Sequence, residues 1–182
     1  MLISRVARNL LLILIAFAGG CSFCFCGLGD ELIPSQSRYN FASNSAIIQV
    51  AYFGTELQEI GSGNMIVFLY DYSSRHCARR TDDEFGKQIY FQVDPNQESF
   101  DFQDEELTDA NCYAGTSGFM VSAGPQKVTK GRITGKKISP DKYNVRACVE
   151  ISDQRSWSGK TTIRCNGVFN KTSGLSLHPI IK

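Results

Sequence analysis

The chain has 182 residues, of which 19 are basic and 18 acidic, and 42% are hydrophobic. So even a balance gives no overall electrostatic attraction for nucleic acid, and no block of like charge marks an interaction tail. A length of this order indicates one domain of ordinary size with room for a core.

The first feature along the chain is Arg5 and Arg8 followed by an unbroken apolar run over residues 10–18 and then Gly19-Gly20-Cys21. A spanning helix needs about 20 apolar residues, so this run is too short to cross a bilayer. A basic lead, a short apolar stretch and small residues at its end predict a cleaved signal peptide over residues 1–20. The small residues running directly into Cys21 resemble the lipobox of bacterial lipoprotein precursors. That resemblance implies lipidation of Cys21, which becomes the mature N-terminus and holds the protein at the membrane. In a Gram-negative cell, Ser22 after it is similar to an outer-membrane sorting signal, which places the domain in the cell envelope at the outer membrane or the periplasmic face. Ala16-Phe17-Ala18 also fits the ordinary signal-peptidase pattern, with a cut before Gly19 and plain secretion. Without Arg5 and Arg8 the chain carries 17 basic residues against its 18 acidic ones.

Residues 21–45 hold Gly, Asp, Pro, Ser and Asn without sustained periodicity and are expected to form a flexible tether. Cys24 and Cys26 follow Cys21 closely, but no histidine lies nearby and no second C-x-x-C completes a zinc site, so no metal is expected there.

The folded domain is expected over residues 46–182. Residues 46–53 and 65–72 are rich in β-branched and aromatic side chains and flank the turn Gly61-Ser62-Gly63-Asn64. Residues 88–93 form a third strand, closed by Asp94-Pro95-Asn96, and 99–102 completes a hairpin. Strands at 118–123 and 128–134 flank Gly124-Pro125. Residues 142–151 alternate cleanly, with Tyr143, Val145, Ala147, Val149 and Ile151 on one face, as in a half-buried strand. Residues 161–168 and 175–181 supply the last two. The fold class is therefore all-β, a β-sandwich of about 8 to 9 strands of the immunoglobulin or transthyretin type after the leader and tether.

Seven cysteines divide into the three near the leader and Cys77, Cys112, Cys148 and Cys165 in the body. An even set in an exported domain predicts disulfides. A hairpin folded at Ser156-Trp157 brings Cys148 to Cys165 and leaves Cys77 to pair with Cys112. Because Cys148 lies opposite the apolar face of its strand, that bond is expected on the solvent side of the sheet or under a loop.

Catalytic residues are not assigned. The two histidines, His76 and His178, lie outside any nucleophile motif. Asp101, Asp104, Glu105, Glu106 and Asp109 are acidic but lack the order of a calcium loop. No cofactor and no metal are expected. Trp157 in a predicted turn and the basic loop residues Arg75, Arg79 and Arg80 are the candidate partner contacts. The functional expectation is a non-enzymatic envelope lipoprotein that is attached to the membrane through its N-terminal lipid and binds another envelope or secretion-system protein, not nucleic acid. The alternative is a secreted, disulfide-bonded inhibitor or ligand-binding module without the anchor.

Overall fold

Strand β11 (Lys142–Ser152) buries every second side chain along most of its length, from Tyr143 to Ile151. Extended backbone sends successive side chains to opposite faces, so this alternation leaves one face on the core and the other in solvent. The same period governs the strands beside it. The chain is described here by a computed structural model over residues 32–52, 55–74, 76–77, 85–118, 123–154 and 156–177. Residues 1–20, expected as a signal peptide, and Cys21 lie outside those residues.

In chain order the elements are β1 (Leu32–Ile33), β2 (Gln36–Tyr52), β3 (Thr55–Ser62), β4 (Met65–Ser73), β5 (His76–Cys77), β6 (Phe85–Val93), β7 (Ser99–Gln103), the single helical turn α1 (Glu106–Asp109), β8 (Tyr113–Gly118), β9 (Ala123–Lys127), β10 (Lys130–Ser139), β11 and β12 (Lys160–Lys171). The main sheet runs β7-β10-β11-β12-β2-β4-β6-β8-β9, and β1 pairs separately with β5. The sheet folds over into a sandwich, as the spacing of short strands and turns predicts. One layer is β7-β10-β11-β12. The other is β2-β4-β6-β8-β9. They join where β12 runs parallel to β2 over Asn170↔Asn40 and Lys171↔Phe41, while the other strand pairs are antiparallel.

Phe68 is the centre of the core. Its ring stacks on Phe91 at 5.0 Å and meets Phe41, Tyr143, Phe100 and Phe169, drawn from both layers, at 5.1 to 5.7 Å. Offset and edge-on aromatic pairs of this kind add about 0.5–1.5 kcal/mol each beyond the area they bury. Ile133, Val145, Val149 and Ile163 fill the space around the rings and are all sealed from solvent.

A second cluster lies outside the sandwich, on the far face of β4, β6 and β8. Leu69, Tyr90 and Tyr113 are buried there under Ile47, Leu175 and Leu177. Strand β2 explains this. Its first half pairs with β4 and its second half with β3, and the register steps between Ala42 and Ser45. Asn44 sits at the step with φ 54, in the left-handed region that Asn tolerates better than most residues. The Gly63 N–H donates to the Asn44 carbonyl at 3.1 Å. Beyond the step the β2–β3 ribbon lies over the second layer. The Ile47 N–H donates to Gln92 Oε1 at 3.1 Å, Gln49 Nε2 to the Tyr113 hydroxyl at 3.4 Å, and the Tyr90 hydroxyl to Gln58 Oε1 at 3.4 Å.

Three expectations are corrected. The stretch expected as tether up to residue 45 is strand from Gln36 onward, and Phe41 is 1% exposed in the core. Residues 172–177 form no strand, and their leucines cover the second cluster instead. Gly124-Pro125 lies inside β9 and not in a turn, so the strands there number more, and start earlier, than the turn dipeptides suggest.

Candidate functional site

The β11–β12 hairpin closes through residues 153–159, and its backbone is tied at several points. The Asp153 N–H donates to the Gly159 carbonyl at 2.9 Å, the Ser156 N–H to the Asp153 carbonyl at 3.0 Å, and the Gly159 N–H to the Ser156 carbonyl at 2.8 Å. Gly159 has φ 70, which glycine adopts at no steric cost. Asp153 is buried, and its Oδ2 accepts from the Thr161 hydroxyl at 2.7 Å; Ser158 Oγ donates to the Lys160 carbonyl at 2.9 Å. These bonds fix the loop on both sides of Trp157, whose side chain is fully exposed. The backbone on either side of Trp157 is thus fixed while its indole stays in solvent, so burying that side chain would cost little further backbone freedom.

The other expected sites fare differently. Arg75, Arg79, Arg80 and His178 lie outside the described residues. Ile33 and Leu32 pair with His76 and Cys77 through the backbone. Cys112, Cys148 and Cys165 are free thiols, so the expected Cys148–Cys165 and Cys77–Cys112 bonds are not present in the structure. The physical reason for the first is register. Cys165 stands opposite Ala147, and Cys148 opposite Arg164. One residue of offset turns a side chain to the other face of the sheet. Cys165 therefore points into the core, and Cys148 out of it, within 3.5 Å of Arg164 Nε. Burial pushes the Cys165 thiol up from its ordinary 9.0 to about 12 and the Cys112 thiol up further, with Cys165 adding to the latter.

The acidic stretch from Asp101 to Asp109 surrounds a shallow, open depression lined by Gln97, Ser99, Phe102, Glu106 and Asp109. Three of its carboxylates are used locally. Asp101 takes both forks of the Arg132 guanidinium at 2.8 and 2.6 Å, which holds its carboxyl below the ordinary 3.8. Asp104 accepts from the Gly131 N–H at 3.0 Å and Glu106 from the Gln103 N–H at 2.8 Å, closing the turn between β7 and α1. Among the described residues no group of three or more His, Cys, Asp or Glu side chains is placed to hold a metal ion.

One arrangement was not visible in the sequence. On the outer face of β7, β10, β11 and β12 the charged side chains are mostly cationic, although the chain as a whole is near neutral. Comparison with protein-family models, with curated proteins and with solved structures finds no match.

Proposed function

We propose that the protein is a non-enzymatic, exported binding module, held at the cell envelope by lipid on Cys21, and that its β-sandwich engages another envelope or secretion-system protein through Trp157. What supports this reading is the exposure of Trp157 on a hydrogen-bonded loop, in a fold whose interior is filled by packed rings. Free apolar surface of this kind gains on burial, and the fixed loop reduces the ordering cost of association. The basic loop residues Arg75, Arg79 and Arg80 would add charge complementarity, which sets partner choice and association rate more than affinity.

The test is affinity capture of the full chain from membranes of its native host, alongside Trp157→Ala. One partner held by the wild-type chain and lost by the variant, at unchanged folding stability, is the expected result. Identical captured proteins from both chains would overturn the reading. Cys21→Ser addresses the anchor separately: after a high-salt wash, which releases protein held by charge alone, the exported variant should leave the membrane fraction, and one that stays in it contradicts lipidation at that cysteine.

A further inference from the structure

The two layers of the sandwich present very different outer faces. That of β4, β6 and β8 is closed by the β2–β3 ribbon together with Leu175 and Leu177. That of β7, β10, β11 and β12 is open. On the open face β10 brings Lys130, Arg132 and Lys136, all exposed. Strand β11 adds Lys142 and Arg146, and β12 adds Lys160 and Arg164, also exposed. The acids on this face are Asp101 and Glu150, and both are already engaged, with Arg132 and with Lys160 at 2.7 Å. Lys130, Lys136, Lys142, Arg146 and Arg164 have no carboxylate within ion-pair distance among the described residues. Cations left without counter-charges across one surface repel each other and attract an anionic partner.

We propose that this face is a docking surface for anionic phospholipid headgroups. Three observations favour a lipid surface over other anionic partners. The unpaired cations lie on three adjacent strands, over about 27 Å along them and about 10 Å across them at ordinary strand spacings, a patch and not a single file. Exposed Ile138 and Val168 stand among them, and apolar side chains gain at the headgroup boundary but not against a hydrated polyanion. Among the described residues no aromatic stands on the face, so the stacking platform that single-stranded nucleic acids use is missing. The proposal stands whether or not Cys21 carries lipid, and it does not involve Trp157.

The experiment is a lysine-acylation footprint read by mass spectrometry on the full chain, with vesicles of phosphatidylcholine alone or mixed with phosphatidylglycerol. Comparing labelling on the two vesicle types removes any contribution that an N-terminal anchor makes to both. Lys136 and Lys142 should be labelled several-fold less on the mixed vesicles, while Lys87 on β6, in the other layer, is labelled equally on both. The double variant Arg146→Gln, Arg164→Gln keeps the strands' hydrogen bonding and volume. It should weaken partition onto mixed vesicles by about tenfold or more, the order expected for removing two surface cations. A variant that unfolds is replaced by Lys136→Gln, Lys142→Gln with the same expectation, protection then being read at Lys130. Equal labelling of Lys136 and Lys142 on both vesicle types overturns the proposal. So does protection by soluble dextran sulfate with none by mixed vesicles, which would assign the face to a polysaccharide.

Discussion

Phe100 lies across Gly135 on the neighbouring strand, so closely that a β-carbon at 135 would come within 2.0 Å of its Cζ. The two are register partners between β7 and β10, and the ring that covers the glycine also reaches Phe68 at 5.5 Å and Phe91 at 5.8 Å. The absent side chain is thus what lets an edge strand deliver an aromatic to the core. Gly135→Ala should push the ring from its place and destabilise the fold by about 1–3 kcal/mol, the usual scale of overpacking. Urea denaturation checks this; a midpoint equal to that of the wild-type chain contradicts it.

Phe68 and Trp157 should behave as opposites. Phe68 is sealed among rings from both layers, and Phe68→Ala should cost about 3–5 kcal/mol of stability, because the cavity cannot collapse against so many fixed neighbours. Trp157→Ala touches no packed neighbour and should stay within about 0.5 kcal/mol. The same denaturation series reads both, and comparable losses at the two positions would refute the core described for this sandwich.

The thiols should sort by face. In the native chain Cys148 should react with maleimide, whereas Cys112 and Cys165 should react only after denaturation. Peptide mapping separates them from the other cysteines. Native labelling of Cys165 at the rate of Cys148 would contradict the register of β11 on β12.

Alkaline pH should weaken the fold. Burial raises Cys165 from 9.0 to about 12 and Tyr70 from 10.0 to about 12, so the unfolded chain loses these protons before the folded one does. Their contribution is complete below about pH 9 and is lost as pH rises towards 12, at up to about 1.4 kcal/mol per pH unit for each group. Denaturation midpoints between about pH 8 and pH 11 should fall, and Cys165→Ala should flatten the early part of that fall. A midpoint constant across the range contradicts it.

Where sequence reading succeeded, one period ran undisturbed: β11 shows its alternation openly because its core face is uniformly apolar. The first half of strand β2, residues 36–45, was hidden because only Tyr39, Phe41 and Ala42 are apolar in a stretch otherwise made of Gln, Ser, Arg and Asn, the residues of a linker. Its pairing with β4, and not its composition, makes it a strand. The Cys148–Cys165 expectation failed by one residue of register, which turn residues alone do not specify. The cationic face was hidden for a different reason: net charge sums over both faces, while alternation in β10, β11 and β12 sends the cations to one. Trp157 was legible as a turn residue, but the hydrogen bonds that hold its loop outward depend on Asp153, Ser156 and Thr161 meeting in three dimensions.

Whether Trp157 contacts a protein partner is decided by a photo-crosslinking residue at position 157 of the full chain, expressed in its native host. One discrete adduct with a second envelope protein is expected, absent when the same residue replaces Asn96 in the exposed turn between β6 and β7. The same adducts from both positions, or none at 157, would contradict it.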